Sequence, residues 1–220
     1  MAGCETKFEK FNTTQIMNWI PENTSLIGTY VELLPLEERH FDELSLLSND
    51  ARIWEFTSAD MSTSEKRKAT FVEALKLKAA GNQHPFVIYH KIEKKLIGAT
   101  RLMDLHPEHR KLEIGWTWLH PNYWASHINF ECKLLLLTYS FDVLNTVRVQ
   151  LKTDEKNLRS QKAIQKIGGI YEGIWRQDWI RDNGTLRNTV FFSILDKEWK
   201  GTKLNLEKLL QQKIKAYESR

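Results

Sequence analysis

LEIGWTWLHPNYWASHINFECKLLLLTYSF, residues Leu112 to Phe141, decides the fold, because it reads as a strand, a tight connection and a buried helix in direct succession. The run Leu112 to Leu119 is rich in β-forming residues and stops at His120-Pro121-Asn122, since the residue before a proline is held out of the helical region. From Asn129 the pattern turns helical. Leu134 to Leu137, Tyr139 and Phe141 leave it apolar on most sides, so a helix over Phe130 to Val143 is expected to be buried. Ala125-Ser126-His127 lie just ahead of it. The first turn of a helix has free N–H groups and the positive end of the dipole, which makes this junction a candidate mouth for a phosphate.

Around this stretch the chain has 220 residues, enough for one domain with a sizeable core. At 41% hydrophobic and 27% charged it has a globular composition, with no apolar run near the length needed to cross a bilayer, so no membrane partner is expected. The net charge of +4 is spread along the chain rather than gathered into a stripe, which argues against nucleic acid. Two cysteines, Cys4 and Cys132, exclude a disulfide framework and a cysteine metal cluster. Met1-Ala2-Gly3-Cys4 superficially matches a lipoprotein cleavage site, but no basic segment or apolar stretch precedes it; with no targeting signal, a cytoplasmic location is expected.

Upstream, residues 1 to 25 read as a polar extension with a short amphipathic piece, Ile16-Met17-Trp19-Ile20, ended by Pro21. Tyr30 to Leu34 is strand-like, Glu37 to Leu47 helical, and Ser62 or Ser64 is the expected cap of a helix to about Ala80, closed by Gly81-Asn82. The period then falls to two: Phe86 to Tyr89, Leu96 to Leu105 and the opening strand form a meander. Downstream, Arg148 to Lys152 is a strand and Leu158 to Ile167 a helix ended by Gly168-Gly169. Tyr171 to Ile180 and Leu186 to Leu195 form a hairpin around Asp182-Asn183-Gly184. Leu204, Leu206, Leu209, Leu210, Ile214 and Tyr217 share a terminal helix. The expected organisation is an extension over 1–25, an α+β domain over 26–200 and a helix over 201–220 that packs on the domain or on a partner.

Three segments in this order, LEIGWTWLHPNYW, RVQLKTDEKNLRSQKAIQKIGGIYEGIWR and NGTLRNTVFFSILDKEW, closely resemble the GNAT superfamily of N-acetyltransferases, in the branch typified by RimJ and RimL. The resemblance covers roughly Thr29 to Trp199 and implies a mixed, mostly antiparallel sheet of about seven strands with helices on both faces. It implies acetyl-coenzyme A as co-substrate, no metal, and transfer to a peptide N-terminus or a small amine by direct attack in a ternary complex. In the family the loop Q/R-x-x-G-x-G/A holds the coenzyme pyrophosphate. Aligned here, Trp124, His127 and Asn129 take the places of the basic residue and the two glycines. Histidine and asparagine tolerate positive φ better than most residues and carry donors for a phosphate. The implied coenzyme-binding residues are Trp118, Leu119, Ser126, His127, Ile128, Asn129, Phe130, Asn157 and Ser160. The tyrosine that many relatives use to protonate the thiolate is replaced by Ile164; in the RimL-like branch a serine at the Ser160 position does this, and Asn157 matches the residue that binds the pantetheine arm. Read without the resemblance, Asn157 and Ser160 only start and cap a helix.

Acetyl transfer to an amine needs a neutral nucleophile, close reach, oxyanion stabilisation and a proton for the thiolate. A backbone N–H of Gly115 to Leu119, where the family has a bulge, is the expected oxyanion donor. Glu113 is the candidate base, with a paired carboxylate as the alternative, and Asp178 is held in reserve; His106, His109 and His120 receive no role. The tryptophans Trp54, Trp116, Trp118, Trp175 and Trp179 are mostly expected in the core, one or two of them at the acceptor pocket. Arg176, Arg181 and Arg187 are candidates for an acidic acceptor, though hairpin arginines are more often only solvated. A non-catalytic acyl-coenzyme A-binding or protein-interaction module is the rival reading, motivated by the missing glycines. The first 25 residues and the terminal helix are candidate elements of a homodimer.

Overall fold

The computed structural model describes residues 19–219, in which one eight-stranded sheet carries helices on both faces. The strands are β1 (Leu26–Ile27), β2 (Val31–Pro35), β3 (Gln83–His90), β4 (Lys95–His106), β5 (Lys111–Leu119), β6 (Arg148–Asp154), β7 (Ile170–Ile180) and β8 (Leu186–Leu195). The helices are α1 (Phe41–Leu47), α2 (Ala51–Trp54), α3 (Ser64–Ala79), α4 (Ile128–Thr138), α5 (Leu158–Lys166) and α6 (Asp196–Glu218). Most of the amphipathic piece expected at Ile16 to Ile20 lies outside the described residues; Ile20 is in the core.

The sheet runs β1-β2-β3-β4-β5-β6-β8-β7, and every neighbouring pair is antiparallel except β5 and β6. The eighth strand beyond the expected seven is β1, whose two residues are too short to show an alternating pattern. Leu33, Phe86, Ile88, Ile97, Leu136, Leu137, Phe192 and Leu206 join the core on the α4 and α6 side of the sheet, while Leu36, Leu44, Phe71, Ala74, Val87 and Trp118 pack beneath α1 and α3.

Local chemistry explains where the elements stop. α3 is capped by Thr63, whose hydroxyl accepts from Lys66 N at 3.3 Å, so the cap falls between the two expected serines. Gly168, at φ +97°, ends α5 in a conformation that costs glycine little. α4 passes into a π turn over Tyr139–Val143. Helix α6 begins directly after β8 and runs unbroken through residue 201, so the terminal helix starts earlier than expected and buries Leu206 and Leu210 in the main core.

Two irregularities in β5 shape the centre of the molecule. Ala99 pairs with Trp118 and Arg101 with Gly115, so β5 carries one extra residue, and Trp116 adopts φ +49°. This is the expected bulge, and for a bulky side chain it is strained backbone. On its other edge β5 meets β6 only at Lys111, Leu112 and Glu113, paired with Arg148, Val149 and Gln150. Beyond Glu113 the two strands part, although β6 stays paired with β8 as far as Asp154. Close approach on the β4 side also matters: a Cβ at Gly98 would lie 2.2 Å from the Trp118 carbonyl oxygen.

Candidate active site

The parting of β5 and β6 leaves a crevice bounded by the N-terminal ends of α4 and α5, which follow those strands. At α4, the Ser126 hydroxyl donates to Tyr123 O at 2.6 Å and accepts from Ile128 N at 3.2 Å, so it caps the helix. The left-handed residue of the loop is Ala125, at φ +58°. His127 has φ −70° and Asn129 is already within α4, so neither takes the positive φ expected of it. With the left-handed position at Ala125, Asn122, Ala125 and His127 satisfy the spacing Q/R-x-x-G-x-G two residues earlier than the expected alignment. His127 also points away from the mouth. Its buried ring lies between Tyr30 and Tyr217 of α6, at centroid distances of 4.4 and 4.7 Å, and burial lowers its pKa.

Cations reach the loop from other elements. The exposed Arg159 of α5 places its guanidinium carbon 3.8 Å from the centre of the Trp124 ring, Arg52 lies 5.7 Å from it, and Lys213 of α6 donates to Ala125 O at 3.3 Å. Trp124 itself is fastened by its indole N–H to Leu119 O at 2.8 Å. Arg159 and Lys213 were missed from sequence; Arg159 stood inside a quoted segment, but nothing local says that it crosses toward α4.

At α5, Asn157 Oδ1 accepts from Ser160 N at 3.0 Å, the N-cap arrangement, and the Ser160 side chain is half-buried. Trp118 and Leu119 are both buried, on opposite faces of β5; Ile128 and Phe130 are buried under α4. Glu113 sits at the vertex where pairing ends. Its Oε2 accepts from Lys152 Nζ at 2.9 Å and Gln150 Nε2 at 3.1 Å; burial raises its pKa, and the lysine opposes the rise. Asp178 is half-exposed on β7.

Behind the bulge, Lys133 of α4 is buried and donates to Thr117 Oγ1 at 2.7 Å, and Thr117 shares a 2.7 Å hydrogen bond with Thr100. Burial pushes the Lys133 ammonium down to about 8. The hairpin arginines divide. Arg176 is exposed, whereas Arg181 and Arg187 are largely buried against the carboxylate of Asp154, with Arg187 Nε 3.6 Å from Oδ2. Arg181 also donates to Thr57 O and Arg187 to Ser58 Oγ, so the hairpin is tied to the segment after α2. The expectation of solvated arginines is corrected for these two.

A mostly antiparallel sheet whose one parallel pair, β5 and β6, opens after three rungs, with helix N-termini at the opening, defines an acyltransferase of the GNAT type. Residues 31–170 match the family described as acetyltransferase (GNAT) domain, and the chain belongs to that family. It is similar to the N-acetyltransferase p20 of Bacillus licheniformis, 24% identical over 78% of this chain and 98% of the relative. It is also similar to YdaF of Bacillus subtilis (strain 168), named as a candidate ribosomal N-acetyltransferase, 25% identical over 82% of this chain and 99% of the relative. Among solved structures, a GCN5-related N-acetyltransferase from Brucella melitensis has 28% identity and a TM-score of 0.78, covering 86% of each chain. Mycobacterium smegmatis RimJ in complex with CoA-disulfide, at 17% identity and a TM-score of 0.69 over 81% of this chain and 88% of its own, shares the fold. The chain is thus an acetyltransferase of the GNAT family. Among the described residues no helix is long and apolar enough to cross a membrane, and no cluster of metal-ligating side chains is present.

Proposed function

We propose that the crevice between β5 and β6 binds acetyl-coenzyme A and that the protein moves its acetyl group to a primary amine by direct attack in a ternary complex. The observation that carries this is the divergence of the two strands after Glu113 and Gln150, which frees one edge of β5 beside its bulge. The thioester supplies an activated acyl carbon. The residues around it divide the remaining work. The N-terminal turn of α4, with Ser126, Ile128 and Asn129, faces a diphosphate, and Arg159 adds a charge that the loop lacks. Trp118, Leu119 and Phe130 form the walls, and Asn157 the amide partner of the pantetheine arm. A backbone N–H of Gly115 to Leu119 takes the oxyanion.

Ser160 is the proposed donor to the departing thiolate. Ser160→Ala is expected to lower kcat about a hundredfold while leaving acetyl-coenzyme A binding by calorimetry unchanged. Unchanged turnover would remove Ser160 from this role, and absence of acetyl-coenzyme A binding at millimolar ligand would reject the enzymatic reading altogether. Glu113 is the proposed base. Glu113→Gln then loses kcat together with the acidic limb of the pH–rate profile, because a base must be deprotonated to act. If Glu113 is only the ion-pair partner of Lys152, the same variant melts earlier and keeps its profile.

A further inference from the structure

The α1 and α3 face of the sheet holds a small cleft walled by Trp54, Phe71, Trp116 and Trp118. The rings of Trp54 and Trp118 lie 5.6 Å apart. Trp116 and Trp118 bring the bulged segment of β5 into the lining of the cleft, the same segment whose backbone takes the oxyanion in the reading above. Arg101 also lines this cleft. It is 8% exposed, stacks 4.5 Å from the centre of the Trp116 ring and donates through Nη2 to Thr70 O at 3.2 Å. No carboxylate among the described residues pairs with it; burial alone acts on the guanidinium, pushing it down to about 10. A buried arginine is ordinarily compensated by an anion, because removing its charge from water is costly. Trp116, strained by the bulge, lies against the guanidinium and Thr70 O takes one Nη2 proton, which leaves the remaining N–H groups of the fork for a ligand.

We infer that Arg101 receives a carboxylate of the acceptor, so that the amine acetylated by this protein carries a carboxylate as well as an apolar side chain. This rests on the acetyl-transfer reading above and names its substrate class. A planar fork matches a carboxylate with two parallel hydrogen bonds, and the aromatic walls exclude water from that pair. The coenzyme's phosphates do not compete for Arg101, since their mouth lies at α4, on the other face of the sheet. The carboxylate is that of a free amino acid or of an acidic first residue in a peptide.

The test measures thiol release from acetyl-coenzyme A with amines that differ only at the carboxylate: amino acids against their amides, and peptides beginning with Asp against those beginning with Asn. In the wild type the acid of at least one pair is expected to have kcat/KM higher by about 30-fold or more, the loss typical when a buried charge pair is broken. The pair that responds identifies the source. Arg101→Met abolishes the preference, Arg101→Lys keeps part of it, and both bind acetyl-coenzyme A as the wild type does. Acetylation without preference for the acid, or a preference that survives in Arg101→Met, overturns the inference. If no amine is acetylated, the transfer reading fails. Calorimetry of the same acids then decides about Arg101: binding lost in Arg101→Met supports it, and no binding to the wild type overturns it.

Discussion

Asp154→Ala is expected to cost about 3–5 kcal/mol of stability, the range found when one partner of a buried ion pair is removed. The carboxylate of Asp154 is 2% exposed and is held between Arg181 and Arg187, while its Oδ1 accepts from Lys156 N at 2.8 Å. Removing it leaves two guanidinium groups, each only 15% exposed, without a counter-ion. The effect extends past the pair. Both arginines also hold Thr57 and Ser58, and Asp154 immediately precedes the turn into α5, so the variant loosens the β7–β8 hairpin and the start of α5 together. Urea denaturation followed by tryptophan fluorescence measures the change, because Trp175 and Trp179 lie on β7. A loss under about 1 kcal/mol would mean that the cluster behaves as a solvated surface pair.

Lys133→Met is expected to make the protein more stable at neutral pH. The unfolded lysine titrates near its ordinary 10.5, and the folded one near 8, so the folded state binds the proton less tightly. Below pH 8 both states are protonated and the folded state bears the full burden of a buried, unpaired ammonium, about 3 kcal/mol from the difference in pKa. Between about 8 and 10.5 the folded lysine is already neutral while the unfolded one still holds its proton, so wild-type stability rises with pH through that window. Methionine has a similar volume and no charge, and Thr117 keeps its bond to Thr100. The gain over wild type is therefore largest at pH 7 and fades as pH approaches 10.5. Thermal melts of both proteins from pH 6.5 to 10 check it; a constant difference across that range contradicts it. The carboxylates near α4 face elsewhere: Glu131 binds the backbone of Thr29 and Tyr30, Glu218 binds Tyr30, and Asp142 binds Lys203 and Trp199; the neighbouring Cys132 thiol opposes the fall in the Lys133 pKa, and burial outweighs it.

Several elements were legible because their cause is local. The stop of β5 before Pro121, the end of α5 at Gly168-Gly169 and the β7–β8 hairpin at Asn183-Gly184 each follow from the φ angles that proline, glycine and asparagine allow. The candidate site was legible to the extent that it sits on those elements: Ser126 before α4, Asn157 and Ser160 at the start of α5, and Glu113 on β5. The left-handed residue of the loop was not. His127 and Asn129 tolerate positive φ as residue types, but the helix begins at Ile128 and the chain turns at Ala125, because Ser126 caps Ile128 and His127 is drawn into the aromatic contact with Tyr30 and Tyr217.

By itself, then, the sequence determined the order of most strands and helices, since these depend on side-chain periodicity and backbone preference over short spans, and it carried three segments whose resemblance to the GNAT superfamily implied the β5 bulge within Gly115 to Leu119. Only the tertiary structure decided which charges meet. Arg181 and Arg187 find Asp154, Arg159 crosses to Trp124, Lys133 stays without a carboxylate and Arg101 faces a cleft without one, because ion pairing is set by distances between elements far apart in the chain, and no local pattern records them.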